Sequence, residues 1–473
     1  MLFNSWEFLL FLPPVLVIYY ALSHRWQNRF LLVASYVFYG YWDWRFLLLL
    51  WISTLIDFTV ALKIQAATED RKRKAFLWTS ILCHLTILGF FKYFNFFTDN
   101  FVRVLALLGM PPVHYPALDV VLPVGISFYT FQTMSYTIDV YRRQQQPTKN
   151  IVDFALFVAF FPQLVIGPIE RARNLLPQLQ RPRVISGELL LRGLLFVALG
   201  YFKKLVVADN LGKYVDYGFS HISALSSWGC LQGLYYFAFQ IYCDFSGYSD
   251  IATGVACWLG VRLMVNFRQP ILAHSMRDFW SRWHISLTSW LRDNVFFALG
   301  GRLRRPLILA RNLFLTTALG GLWHGAKWTY VLWGCYLGIM QGMESFLTLH
   351  FQDKTPNPPR DRKQVPVVIL RILVTFHIAL VLPLILFRSP NLQAAQLYAA
   401  QLFSFAPGSS LSLWGLALIS GSLLIDLPQY LSNDQAAFLK APRIVLALFL
   451  LALAAAIFLF GCQETIPFIY FQF

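Results

Sequence analysis

The sequence predicts an all-α, polytopic membrane protein, and three observations lead there. Of 473 residues, 57% are apolar and 13% charged, about half the ~25% charged fraction of a soluble domain. Apolar runs approaching the ~20 residues that a bilayer requires recur along the whole chain. The basic residues behind a formal net charge of +16 sit in short runs between those segments, as in cytoplasmic loops. An aromatic content of 17% opposes disorder. With no basic stripe on a soluble face, nucleic acid is not an expected partner.

The first span runs from Trp6 to Leu22. Asn4 and Glu7 stand where a signal peptide would carry basic residues, and no A-x-A site follows, so the segment reads as a retained helix. Pro13-Pro14 interrupts it, which membrane helices tolerate. Further spans are expected at 30–42, 46–62, 75–91, 120–141 and 188–207, then at 225–242, 249–264, 328–348, 367–387, 411–428 and 444–461. Stretches near 94–110, 151–167 and 306–322 are shorter or broken and read as half-helices or re-entrant segments. The total is about eleven to fourteen membrane elements.

Orientation follows from the Lys/Arg loops. The runs around Arg25, Arg71 to Lys74, Arg142 to Lys149, Arg171 to Arg183, Arg302 to Arg305 and Lys354 to Lys363 are expected in the cytoplasm. That puts the N-terminus outside, and also the tail beyond Gly461. The Pro-rich linker at Lys354–Arg360 separates a core, 1–353, from C-terminal transmembrane helices, 364–461, and an extracytoplasmic tail, 462–473. No repeat and no inverted halves occur, which counts against common transporter designs. The six cysteines form no CxxC pair, so neither a disulfide framework nor a metal site is expected.

Three polar clusters lie at membrane depth, where each polar group costs a few kcal/mol and asks for a reason. The first is Gln240 to Asp250, with Asp244 and Asp250; it reads either as a polar turn between two helices or as a functional site. In the second, Trp280, Trp283, Leu287, Trp290 and Leu291 form one apolar helical stripe, with Arg277, Ser281, His284 and Thr288 on another face. A helix lying at the membrane surface explains that pattern, with His284 packed to hold the loop. The third, Gly320 to Trp328, brackets His324 with glycines and tryptophans. A neutral imidazole at that depth suits a general base, and equally a hydrogen bond between helices. No G-x-S-x-G, H-E-x-x-H, Walker A or dinucleotide fingerprint occurs, so hydrolase, metalloprotease, ATPase and Rossmann readings lack support.

The run Arg277-Asp278-Phe279-Trp280 through Arg282-Trp283-His284-Ile285-Ser286-Leu287, followed by Trp323-His324-Gly325, resembles the membrane-bound O-acyltransferase family, in particular its bacterial alginate O-acetylase-like branch. Leu122 to Tyr129, Phe161 to Ile169 and Asp244 to Asp250 carry the similarity across the chain, as do Leu2 to Ser5 and Tyr39 to Trp42. The resemblance implies a ring of tilted transmembrane and re-entrant helices around a central funnel, in the bacterial inner membrane. It implies transfer of an acetyl group from cytoplasmic acetyl-CoA, a substrate rather than a bound cofactor, outward to an exported polysaccharide. Extracytoplasmic SGNH-type transfer proteins and membrane lipid are the implied partners. His324 carries over as the family's membrane-depth histidine and His284 as the second.

The ending Phe468-x-Tyr470-x-x-Phe473 resembles tails of export acylation systems, where Tyr470 would hold the acyl group transiently; an aromatic interfacial anchor explains the same residues. Lys203, Lys204, Arg171 and Arg173 suit CoA phosphates, or simply orient the chain. The alternatives are a D-alanyl, peptidoglycan, cellulose or lipid acyltransferase of the same fold, a non-catalytic transporter, or a scaffold of a polymer-export complex.

Overall fold

The computed structural model describes residues 1–110, 121–301, 305–351, 365–464 and 466–471. Among the described residues every regular element is a helix, and the single β-bridge joins Leu225 to Ser409. Helical backbone satisfies its own hydrogen bonds, which hydrocarbon demands. Among the described residues, four helical stretches are long and apolar enough to cross a membrane: His24–Ala66, Asp70–Leu107, Val365–Arg388 and Arg443–Phe460. Large apolar side chains face outward, among them Leu10 at 75% and Phe458 at 82% exposure. Such a surface suits lipid and not water. The expected linker at 354–360 and the basic residues 302–304 lie outside the described residues.

The chain forms two compact units, one of Met1–Leu190 with Val255–Leu263, the other of Leu191–Gly254 with Met264–Phe473. In the first, Trp6–Ala21 starts at Ser5, whose hydroxyl accepts from Phe8 N at 3.3 Å, and keeps Pro13 and Pro14 inside the helix. Its centre holds a fully buried polar network. Asp57 accepts from Ser80 Oγ at 2.5 Å and contacts His84 Nε2 at 2.6 Å, and Thr137 Oγ1 lies 3.2 Å from the Ser80 hydroxyl. Buried polar groups at this depth are stable only when they satisfy one another.

The second unit corrects four expectations. Residues 225–264 do not form two helices with a polar turn at Gln240–Asp250; Ser227–Trp258 is one helix of 32 residues. The polar side chains stay helical because partners meet them: Tyr242 donates to Asp426 at 2.8 Å, and Lys204 pairs with Asp244 at 2.8 Å. Lys203 and Lys204 are not loop cations available to phosphate. They lie in a π-helical insertion, Phe202–Ala208, are 3% and 0% exposed, and pair with carboxylates. The stretch near 306–322 is not broken: Pro306–His324 is a continuous helix of 19 residues. Finally, the tryptophan stripe does not ride on one surface helix. The chain breaks between Met276–Arg282 and Ile285–Leu291, with His284 at the break.

Candidate active site

His324 is the last residue of Pro306–His324. Two glycines set its position through close approach rather than through backbone freedom. A Cβ on Gly321 would sit 2.3 Å from the Tyr330 carbonyl oxygen and 3.1 Å from Gly334 Cα. Only a residue without a side chain lets this helix meet Trp328–Phe351 so closely, the small-residue packing that membrane helices use. A Cβ on Gly325 would lie 2.3 Å from the Tyr330 ring, so the chain turns there against an aromatic wall. The His324 ring is then surrounded by the rings of Trp323, Trp333, Phe387 and Tyr470, with centroids 4.9, 5.1, 5.4 and 5.4 Å away.

His284 reaches the same region from a different element. Its backbone is left-handed, with φ 43°, a conformation that is costly for a residue with a Cβ and that recurs at functional sites. Asn266 holds the turn. Its carbonyl accepts from Ile285 N at 2.9 Å, and its side-chain oxygen accepts from Ser286 Oγ at 2.9 Å and from Ser286 N at 3.3 Å. Before the break, Ser275 caps Met276–Arg282, and Glu344 accepts from Met276 N at 2.8 Å and Arg277 N at 3.2 Å. Asp278 and Arg282, four residues apart, pair at 2.7 Å. The His284 imidazole is 1% exposed and packs on Phe245 at 4.6 Å and on Trp323 at 5.9 Å.

Both histidines line one cavity of about 440 Å³. Its walls are largely aromatic and aliphatic, with Trp280, Trp283 and Trp333 prominent. Besides the two histidines, the polar lining residues are Arg277, Arg292, Ser281, Thr288, Thr316, Thr317, Gln341 and Ser345. An apolar-walled pocket with polar groups to fix orientation is the usual form of a small-molecule site. His324 is therefore not sealed behind packing. From sequence, Arg277 belongs to a membrane-surface helix and Arg292 carries no signal; both contribute cationic groups to the cavity wall. Among the described residues no cluster of three His, Cys, Asp or Glu side chains could hold a metal ion.

The tail joins this site. Tyr470 lies in a short 3-10 turn, Ile469–Phe471, with its ring 5.4 Å from that of His324, 5.1 Å from Phe245 and 5.3 Å from Phe468. Phe468 and Ile469 are buried, at 0% and 3% exposure. The structure thus brings His284, His324 and Tyr470 together, while Phe473 lies outside the described residues. Sequence reasoning missed Phe387 and Phe245, which line this aromatic cluster; nothing in a lone phenylalanine marks it as a histidine's neighbour.

Residues 143–387 match the membrane-bound O-acyltransferase family. The chain is also 40% identical over 407 residues to a probable alginate O-acetylase of Pseudomonas aeruginosa, covering 86% of this chain and 75% of that protein. The chain belongs to the membrane-bound O-acyltransferase family. A probable alginate O-acetylase of Azotobacter vinelandii is 35% identical over 515 residues and covers both chains completely. A peptidoglycan O-acetyltransferase of Helicobacter pylori is 33% identical over 430 residues, 84% of this acyltransferase and 78% of that one. The protein is an O-acyltransferase and a multi-pass membrane protein. The matched segment contains His284 and His324 together with every residue that lines the cavity.

Proposed function

We propose that this acyltransferase O-acetylates an exported polysaccharide, alginate-like in its chemistry, with acetyl-CoA on the cytoplasmic side as donor. One observation carries the reading: His284 and His324 share the wall of a single 440 Å³ cavity, and a tyrosine of the tail stands against His324. An acetyl group alone needs far less room. The cavity has room for part of the donor's arm, which ends in the thioester, with Arg277 and Arg292 favouring an anionic donor. The similarity to alginate O-acetylases supports the acceptor class.

CoA is a polyanion and does not cross hydrocarbon, so the acetyl group alone is handed over. His324 acts as general base and takes the proton of an attacking hydroxyl. The hydroxyl oxygen bonds the thioester carbonyl carbon, the C–S bond breaks, and the proton passes to the departing thiolate. The products are an acetyl ester and free CoA thiol. We assign the first hydroxyl to Tyr470, which then gives the acetyl group to a downstream acceptor, an SGNH-type transfer protein or the polymer itself. Splitting one difficult transfer into two is the usual use of a covalent intermediate. His284 lines the same cavity and orients the donor.

The test uses purified full-length protein and acetyl-CoA labelled in the acetyl group. The proposal expects release of free CoA thiol and a hydroxylamine-labile label on Tyr470. Neither thioester consumption nor label, from folded protein, overturns it. A peptidoglycan acceptor is the second reading, favoured by the similarity to the Helicobacter pylori enzyme. Loss of acetyl groups from peptidoglycan, with polysaccharide acetylation intact, on deletion of the gene selects it.

A further inference from the structure

The tail is fastened by a charged group that no part of the acetyl-transfer reading uses. Ile469 N donates to Asp244 Oδ2 at 2.7 Å. The other oxygen of Asp244 meets Lys204 Nζ at 2.8 Å, and the same ammonium meets Asp209 at 2.7 Å. All three charged side chains are buried, with Lys204 at 0%, Asp209 at 2% and Asp244 at 3% exposure. Three such groups at membrane depth are costly, and packing alone does not require them.

Local geometry is built around this ion triad. Lys204 sits in the π-helical insertion Phe202–Ala208, a form that is rare and concentrated at functional sites. A Cβ on Gly247 would lie 3.1 Å from Lys204 N, so the Ser227–Trp258 helix and the insertion touch backbone to backbone. Two rings of the Asp244 helix, Phe245 and Tyr248, clasp Phe468 at 5.3 and 5.1 Å. Upstream, Cys462 N donates to Leu205 O at 3.0 Å, which ties the root of the tail to the same insertion.

We propose that Asp244, held by Lys204, is the positioning residue of the tail: a latch that seats Tyr470 against His324. The carboxylate grips the backbone of the residue immediately before Tyr470, so the tyrosine's place is set independently of its own side chain. A charge-assisted acceptor binds an N–H more strongly than a neutral one, and Lys204, 2.8 Å from the other carboxylate oxygen, holds the acceptor in place. Loss of the bond shifts the seating equilibrium by roughly 10- to 100-fold. The latch stands on the contacts themselves; its consequence for catalysis rests on the reading of Tyr470 as acetyl carrier.

The experiment measures hydrogen exchange of the C-terminal peptide and the rate of Tyr470 labelling from labelled acetyl-CoA, in full-length protein. Ile469→Pro removes the donated N–H and leaves all three charged groups in place; the first position of a helical turn accepts proline's fixed φ. Asp244→Ala removes the acceptor, while Asp244→Asn keeps an acceptor oxygen. The proposal expects faster exchange across 466–471 and at least tenfold slower labelling for Ile469→Pro and Asp244→Ala. Asp244→Asn is expected between Ala and wild type, and the KM for acetyl-CoA stays at the wild-type value throughout. Wild-type exchange in Ile469→Pro overturns the latch, and wild-type labelling despite a freed tail overturns its positioning role. If Asp244→Ala does not fold, Ile469→Pro decides. If Tyr470→Phe protein transfers acetyl normally while Ile469→Pro still frees the tail, the carrier reading fails and the latch survives.

Discussion

Gly321→Ala tests whether helix contact positions His324. The added methyl group would start 2.3 Å from the Tyr330 carbonyl oxygen, whereas carbon–oxygen contacts in proteins close to about 3.3 Å. The obstacle is backbone, so no rotamer change relieves it, and the helices must separate by about 1 Å. His324 lies three residues further along the same helix, and Trp333, which packs on it, lies on the opposing one. A misplacement of about 1 Å at a reacting group costs on the order of 10²-fold in rate, near 2.7 kcal/mol. Overpacking adds about 1–3 kcal/mol of lost stability. The assay is acetyl transfer per folded molecule, paired with a thermal melt in detergent. Gly187→Ala is the control, since nothing lies within 4 Å of a Cβ there, and it should change neither quantity. A Gly321→Ala enzyme with wild-type turnover per folded molecule would refute the idea that this contact aims the histidine.

Three further expectations concern other parts of the molecule. With φ at 43°, His284→Val should melt below His284→Asn by about 1–2 kcal/mol, since only asparagine tolerates the left-handed region; equal melting would show that the turn relaxes. Asp57→Ala strips the shared partner from Ser80 and His84 and should cost about 3–5 kcal/mol of stability. Its transfer per folded molecule should stay normal, and a specific loss of activity would place that network in the reaction. Tyr470→Phe keeps every ring contact and loses only the hydroxyl; it should abolish the hydroxylamine-labile label and block onward transfer, measured on the purified protein.

Much of this is legible in the amino-acid sequence. Scarce charge and recurrent apolar runs specify a helical membrane protein, and Trp323-His324-Gly325 already marks a histidine whose neighbours have unusual backbone needs. What stayed hidden has a common cause: it depends on partners far away in sequence. The polar run at Gln240–Asp250 looks like a turn because carboxylates break apolar periodicity. It remains helical because Asp426 and Lys204 meet it from elsewhere. Lys203-Lys204 looks available to an anion, since no sequence pattern announces a π-helical insertion that turns both inward. Trp280 to Leu291 keeps perfect helical spacing across a break that Asn266 imposes through three hydrogen bonds. Phe387 reaches His324 from more than sixty positions downstream, and periodicity carries no information about such contacts.

The account depends most on one imidazole, and His324→Asn measures it directly. Purified, folded protein is given labelled acetyl-CoA, and release of CoA thiol is followed beside a thermal melt and exchange of the tail amides. Acetyl transfer should slow by about 10²–10⁴, with melting and tail seating unchanged. Wild-type thioester turnover by the Asn variant would contradict it, because the base would then have to be another group.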